Sequence, residues 1–188
     1  MLITIVSYHG TSLSNATTIS QKGFIISKAQ TVPSDLGYGV YTYIDLADPT
    51  IKFVDNAKKN ASHYIELFKN KRWKNQKTAI IEVTSTFDEN KILNFNDVKV
   101  YNAFLINYKR LLNIALSKLT TYRPGPAQKR RQVDGIVIEY LISHHLIIDP
   151  DVIIMDTHTE FQDVKSNFHN GTEFVIRKQS VIDNVKLV

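Results

Sequence analysis

Cysteine is absent from this chain of 188 residues. Its absence excludes a disulfide-stapled scaffold, a thiolate nucleophile and any zinc site built on cysteine ligands. Long apolar runs are missing too, since no stretch approaches the roughly 20 residues of a membrane-spanning helix. The opening residues MLITIVSYHG have no positively charged segment or small-residue cleavage site, so they predict a strand and not a signal peptide. We therefore expect a soluble, cytoplasmic protein without a membrane partner.

Acidic residues are in the minority, with 18 Asp and Glu against 23 Lys and Arg, which gives a formal net charge of +5. This modest excess favours an acidic partner such as nucleic acid or a nucleotide phosphate. The sequence has no internal repeat, low-complexity tract or linker that would divide it. Its hydrophobic content of 43% suffices for one core, so we predict a single domain over residues 1–188.

Hydrophobic periodicity predicts strands near both ends of the chain and helices concentrated between them. Strands are expected at 3–8, 36–43, 78–87, 151–156, 173–178 and 181–188, and helices at 12–22, 48–69 and 96–119. The third helix is expected to bury most of its apolar residues, including Ala103, Ile106 and Ile114. The segment 135–142 fits either a buried strand or a helix, because periodicity alone cannot separate the two. The pattern predicts an α+β fold.

Three segments combine a strand end with residue types that chemistry uses. In YHGTS (8–12), a histidine is followed by a glycine whose backbone can approach a planar ligand, and then by two hydroxyls. In LGYGVY (36–41), aromatic rings alternate with glycines. In NGTEFVI (170–176), a carboxylate begins an otherwise apolar strand. Each segment alone is a weak signal, and the three together are more specific.

In order and in spacing class, the three segments resemble the signature motifs of diphtheria-toxin-like ADP-ribosyltransferases, the group that includes the catalytic domain of the poly(ADP-ribose) polymerases. The resemblance runs from Tyr8 to about Val188 and rests on the first 60 and the last 20 residues. It implies a fold of split antiparallel or mixed β-sheets around an NAD cleft, with helices inserted in the middle of the chain. It implies NAD as the substrate and requires no metal.

The resemblance also implies a role for each matching residue. His9 matches the histidine that hydrogen-bonds the adenosine ribose of NAD, and Gly10 matches the position whose backbone holds the nicotinamide carboxamide. Tyr41 matches the tyrosine that stacks on the nicotinamide ring. Glu173 matches the catalytic glutamate, which binds the nicotinamide ribose and stabilises its developing positive charge.

Further residues complete the expected NAD site. The polymerases have a second stacking tyrosine eleven residues after the first; that count falls on Lys52 here, so we assign this role to the neighbouring Phe53. Thr11 and Tyr43 lie beside the matched histidine and tyrosine and are expected to contact NAD as well.

The residue types suit the reaction. Cleavage of the bond to nicotinamide passes through an oxocarbenium-like state, so a fixed carboxylate beside that ribose binds the transition state better than the ground state. Aromatic faces attract a cationic ring through their quadrupoles. His144, His145, His158 and His169 match no usual metal-ligand spacing.

The acceptor of ADP-ribose is predicted less sharply. Position 171 is a glycine, so the acidic pair that often marks arginine-directed transferases is absent. Net charge favours nucleic acid slightly over protein, and the cations that would contact it are Arg123, Lys129, Arg130 and Arg131. The enzyme is expected to act as a bacterial or phage toxin or defence effector, with an antitoxin as a neutralising partner.

Two other interpretations stay open. The first is a module that binds NAD or ADP-ribose without turnover. The second is an RNA-processing enzyme on a related scaffold, either a 2′-phosphotransferase or a ribonuclease-type toxin that uses His9 as a base.

Overall fold

The computed structural model of the chain describes residues 1–26, 33–45, 56–72, 74–120, 126–158 and 168–188. These residues form the strands β1 Leu2–Ser12, β2 Val40–Ile44, β3 Thr78–Asp88, β4 Ile92–Asn94, β5 Val152–Thr157, β6 Gly171–Ile176 and β7 Ile182–Leu187. They also form the helices α1 Leu13–Lys22, α2 Ala57–Arg72, α3 Val98–Thr120 and α4 Pro126–Ser143. The predicted α+β class is confirmed.

Five residues named above are only partly described or lie outside the description. Phe53 and Arg123 fall outside the described residues. The backbone of Lys129, Arg130 and Arg131 belongs to α4, but their side chains are outside the description. The roles given to these five residues remain predictions.

One mixed sheet of seven strands, in the order β4-β5-β6-β2-β1-β3-β7, organises the described residues. β4 and β5 run parallel, and the other neighbouring pairs run antiparallel. The three strands that carry the sequence motifs, β6, β2 and β1, are therefore consecutive in the sheet. Motifs separated by more than 100 residues in the chain become neighbours in this way.

Alternation along each strand gives the sheet two faces with different coverings. On the first, which we call the α1 face, Ala16 of α1 belongs to a buried cluster with Phe24, Ile81 and Phe174. On the second, the α2/α4 face, α2 packs against β1 and β2, and α4 packs against β5 and β6. Burial of each large apolar side chain stabilises the fold by about 1.5–3 kcal/mol.

The helix α3 forms an outer layer and packs mainly against α4. Phe104, which does pack inward, also meets Phe95 at a ring-centroid distance of 5.1 Å. The expectation that Ala103, Ile106 and Ile114 are buried is wrong, since all three are exposed and Ile106 is 70% accessible. A helical period predicts a helix but does not show how much of its circumference other elements cover.

Two boundaries differ clearly from the prediction, and one open assignment is resolved. β1 continues through His9 and Gly10 to Ser12, because β3 pairs with it over its whole length, so His9 is not at a strand end. Residues 36–39, predicted as strand, precede β2 and form a turn in which Gly37 has a φ of +89°. The ambiguous segment 135–142 is helical and belongs to α4. By contrast, the predicted helix 12–22 is confirmed, with Ser12 as its N-cap and Gly23 after its last residue.

Candidate active site

The sheet register brings Tyr41 and Glu173 together on the α2/α4 face, whereas the side chain of His9 lies on the α1 face. Glu173 of β6 lies opposite Tyr43 of β2, and Tyr43 lies opposite Tyr8 of β1. Tyr41 is two residues from Tyr43, so its ring lies on the same face as the Glu173 carboxylate. This proximity is also electrostatic, because the Glu173 charge is one of the causes that raise the pKa of Tyr41.

A gap opens between β1 and β2 beside these residues. In the described parts of the two strands, pairing occurs at one position, Tyr8 with Tyr43, although β1 pairs with β3 over eleven positions. The imidazole of His9 takes the place of the missing main-chain pairing: its Nδ1 lies 2.7 Å from the carbonyl oxygen of Tyr41. The sheet is continuous through the Tyr8–Tyr43 pair, and beside this pair a side chain joins the two strands in place of main-chain pairing.

The main-chain groups of Gly10 face this gap. Gly10 lies opposite Ile80 of β3, and the Ile80 carbonyl accepts a hydrogen bond from the Val188 N–H, at 3.1 Å, on the far side of β3. Because main-chain groups alternate in direction along a strand, Gly10 and Ile80 form a pair that exchanges no hydrogen bonds. The N–H and C=O of Gly10 therefore point away from β3 and toward β2.

The absent side chain of Gly10 has a separate cause. A Cβ at this position would overlap the main-chain carbonyl oxygen of Ala61 and would lie 2.7 Å from Cγ1 of Ile65. Both residues belong to α2, so the glycine lets this helix lie directly on β1. Gly10 thus serves helix packing on the α2/α4 face while its backbone faces the gap.

The state of His9 follows from its surroundings. A carbonyl oxygen can only accept, so Nδ1 donates to Tyr41 and carries the proton. Burial lowers the pKa of His9, and this effect outweighs the hydrogen bond to Tyr41, which raises it. The ring also meets Phe24 edge-on at a centroid distance of 5.4 Å. His9 is therefore a neutral imidazole whose Nε2 carries a lone pair and acts as an acceptor.

The hydroxyl of Tyr41 is held by the turn that precedes β2. It accepts a hydrogen bond from the Leu36 N–H at 2.8 Å and donates one to the Gly37 carbonyl at 3.0 Å. Burial raises the pKa of Tyr41, and the negative charge of Asp35 adds to the effect. Tyr41 stays protonated, and its ring is fixed at both ends, by the strand and by the turn.

Glu173 lies between the regions covered by α2 and α4. It is half-buried, its neighbour across β5 is Met155, and its Oε2 atom is enclosed. Asn60 of α2 is near the start of the same strand, because it donates a hydrogen bond to the Asn170 carbonyl at 3.0 Å. The carboxylate is thus positioned by a strand that is paired on both sides, and a strand holds a site residue more precisely than a loop does.

Sequence reasoning missed a buried ion pair that holds the turn. The guanidinium of Arg177, whose side chain is 1% exposed, forms two hydrogen bonds with the carboxylate of Glu139, and that between Nη2 and Oε2 is 3.1 Å long. The same two residues bind the main chain of Tyr38: its N–H donates to Glu139 at 2.7 Å, and its carbonyl accepts from Arg177 at 3.1 Å. A signal was present, since each charge interrupts an apolar run, in IVIEYLI and in FVIRK.

The two remaining predicted site residues that the structure describes, Tyr43 and Thr11, are buried. Tyr43 is 7% exposed and packs in a cluster with Ala57 and Ala61 of α2. Thr11 is buried, and its hydroxyl accepts a hydrogen bond from Asn15 at 3.5 Å. Both are close to the gap along their strands, and their contacts with NAD stay predictions.

The described residues contain no group of three or more His, Asp or Glu side chains placed to hold a metal ion. Among the helices of the described ranges, none is both long enough and apolar enough to cross a bilayer.

No protein-family model, curated protein or solved structure matches this chain. The functional argument therefore depends on the motifs in the sequence and on the geometry that joins them.

Proposed function

We propose that the protein is an ADP-ribosyltransferase that takes ADP-ribose from NAD and releases nicotinamide. The observation that carries the proposal is the arrangement of β1, β2 and β6, which places His9 and Gly10 at a gap in the sheet beside Tyr41 and Glu173. Tyr41 and Glu173 share the α2/α4 face there, and His9 reaches the main-chain carbonyl of Tyr41 from the α1 face. The resemblance implies split sheets around a cleft, whereas the described strands form one sheet in which β1 and β2 pair at a single position.

The residues fit the demands of NAD. Neutral His9 presents an Nε2 acceptor, which suits a ribose hydroxyl. The N–H and C=O of Gly10 face the gap as a donor and an acceptor, which is the complement of a carboxamide. The Tyr41 ring supplies an aromatic face, and the two hydrogen bonds of its hydroxyl hold the ring in place.

Glu173 supplies the catalytic charge. NAD provides an ADP-ribosyl group whose bond to a positively charged nicotinamide breaks with the electron pair leaving on the ring nitrogen. The carboxylate of Glu173 stabilises the positive charge that develops on the ribose, and it does so without rearranging, because a paired strand holds it. The acceptor then bonds to the ribose carbon and gives up its proton.

Nucleic acid is the acceptor class that we propose, because the chain carries a net charge of +5. The test uses NAD labelled in its adenylate part, a total cell extract, and the Glu173→Gln variant. Label that nuclease removes and that Glu173→Gln fails to produce supports the proposal. Label that protease removes would establish a transferase with a protein acceptor. No label in any fraction, with NAD left intact, would overturn the transferase.

A matched control sharpens this test. Glu82 of β3 is another half-buried carboxylate on the α2/α4 face, with β2 and β1 between it and β6, and it accepts a hydrogen bond from Tyr8 at 3.2 Å. Glu82→Gln removes one negative charge from the same face without touching β6. It should label the extract as the unaltered protein does.

One observation favours a second function. A neutral histidine whose Nδ1–H is fixed by a carbonyl also suits a general base, so His9 is equipped for RNA cleavage. This function predicts RNA cleavage that does not require NAD, that is lost in His9→Gln, and that persists in Glu173→Gln. The labelling experiment, run with an RNA gel in parallel, separates the two functions.

A further inference from the structure

We infer that Glu139 and Arg177 are positioning residues for the candidate active site: their ion pair fixes the turn 36–38, and the turn fixes the ring of Tyr41. This inference deepens the proposed function, because Tyr41 is the residue assigned to the nicotinamide ring. The contacts that carry it need no NAD, so they can be tested separately from the reaction.

The first step is the link from the ion pair to the turn. Glu139 accepts a hydrogen bond from the Tyr38 N–H, and Arg177 donates one to the Tyr38 carbonyl, so both main-chain groups of one residue are bound by the pair. A side chain on Gly37 would overlap Glu139 Oε1 and lie 2.9 Å from Arg177 Nη1. The turn therefore lies directly against the two charged groups, and a glycine is required there.

The second step is the link from the turn to Tyr41. The Tyr41 hydroxyl is bonded to the N–H of Leu36 and the carbonyl of Gly37, the two residues just before Tyr38. A displacement of the turn would carry the hydroxyl with it or break both hydrogen bonds. Because the hydroxyl oxygen lies on the long axis of the rigid tyrosine ring, its position fixes that axis and the centre of the ring.

The third step concerns α4, the helix that supplies Glu139. Gly135 is one helical turn earlier on the same side of α4, and a Cβ on it would overlap the Ser34 carbonyl oxygen and lie 3.0 Å from the Gly37 nitrogen. The turn therefore packs against α4 at Gly135 and is hydrogen-bonded to the same helix at Glu139. Arg177, immediately after β6, closes the arrangement from the sheet side.

The fully buried position of Arg177 favours a role beyond ordinary stability. A buried ion pair is no more stabilising than well-packed apolar residues of the same volume, but it fixes geometry through its directional hydrogen bonds. Here the directions converge on Tyr38 and, through the turn, on Tyr41. The pair is therefore well suited to hold a ring in one position.

The test replaces the whole pair, since removal of one partner leaves a buried charge that can unfold the protein. In Glu139→Leu with Arg177→Met, both charges are removed and the volume is kept. Glu139→Gln serves as a milder single variant. The control is Asp151→Asn, which removes the charge from a partly buried ion pair of 2.8 Å with Lys178, the residue next to Arg177, at a side chain that has no contact with the turn among those described.

The first readout is the NMR resonance of the Tyr41 ring carbon that bears the hydroxyl, assigned with Tyr41→Phe. We expect this resonance to shift or broaden in the folded double variant and to stay unchanged in Asp151→Asn. An unchanged resonance in a folded double variant or in folded Glu139→Gln would overturn the inference. This result requires no enzymatic activity.

The second readout is the kinetics of NAD consumption. A displaced stacking ring weakens binding of the ground state and the transition state alike, so KM for NAD should rise about tenfold while kcat changes little. A fall in kcat with an unchanged KM would contradict the assigned role. If the Tyr41 resonance moves while the unaltered protein consumes no NAD, the proposed function fails and the positioning role stands.

Discussion

The Nδ1 atom of His9 lies 2.7 Å from the main-chain carbonyl oxygen of Tyr41, across the gap where β1 and β2 cease to pair. This hydrogen bond connects two of the three motif strands. It also fixes the tautomer of His9, since the carbonyl can only accept. The protonation state of His9 is therefore coupled to the hydrogen bond that links β1 to β2.

That coupling predicts a pH dependence of stability. Burial lowers the pKa of His9 in the folded protein, so below its ordinary value of 6.5 the unfolded chain binds a proton that the folded chain does not. The free energy of unfolding should therefore be fully retained above pH 6.5 and fall as the pH drops below it, by at most about 1.4 kcal/mol per pH unit. Urea denaturation from pH 8 to 5 measures this fall.

The control for this prediction is a second histidine. His144 also bonds a main-chain carbonyl, that of Tyr140 at 2.9 Å, but it is exposed at the end of α4. His9→Gln should flatten the pH dependence below 6.5, whereas His144→Gln should follow the unaltered protein. Equal pH dependences in all three proteins would show that His9 is not held neutral by the fold.

Glu173→Gln should reduce the rate of nicotinamide release by about 10²–10³-fold, because it removes a preorganised charge from the transition state. The fold should persist, since the amide keeps the size of the carboxylate and β6 stays paired on both sides. Single-turnover measurement of nicotinamide, with Glu82→Gln as the matched control, gives the comparison. A loss of the same size in Glu82→Gln would mean that net charge, not position, matters.

Gly135→Ala should destabilise the protein, although alanine is the better helix former. In an exposed helix this exchange stabilises by about 1 kcal/mol. Here the added Cβ would overlap the Ser34 carbonyl oxygen, so the turn must move off α4. We expect a net loss of roughly 1–3 kcal/mol from overpacking, measured by urea denaturation. A stabilised variant would show that the turn does not rest on Gly135.

Alkaline pH should weaken the packing of α3 on α4. Burial first, and then the carboxylate of Asp134, raise the pKa of Tyr108 to about 12. Between pH 10 and 12 the unfolded chain loses this proton and the folded chain keeps it, so the free energy of unfolding falls as pH rises through that window. Tyr108→Phe should show a shallower fall. Tyr101→Phe, an exposed position on the same helix, should keep the original slope.

Local sequence carried most of the information about the elements and the motif residues. The apolar alternation of 78–87 and the helical spacing around Ala57, Ala61 and Ile65 correspond to β3 and to the buried side of α2. His9, Tyr41 and Glu173 each stand out because a polar or aromatic group lies beside a glycine at an apolar strand. Such signals are short-range, so one sequence is enough to find them.

Contacts between residues that are far apart in the chain could not be predicted from the sequence. Glu139 and Arg177 are 38 residues apart, and nothing local indicates that they meet at Tyr38. Residues 36–39 alternate as a strand would, but the positive φ of Gly37 and the hydrogen bond from Tyr38 to Glu139 give them the conformation of a turn. The polar residues of β1 after Tyr8 give no strand signal, yet β3 pairs with them throughout.

The hydroxyl of Thr42 donates to the carbonyl of Phe174 at 2.7 Å, and the two residues are 132 positions apart in the chain. Closing a loop of that length costs about 4 kcal/mol of chain entropy, and it can happen only after the ribosome has released β6. His9 and Tyr41 are made early, but the carboxylate of Glu173 arrives late and must enter the sheet between two strands already synthesised. A chain in which β6 has not yet joined the sheet therefore lacks the Glu173 carboxylate beside β2, and we expect the proposed activity to begin only after this strand is in place.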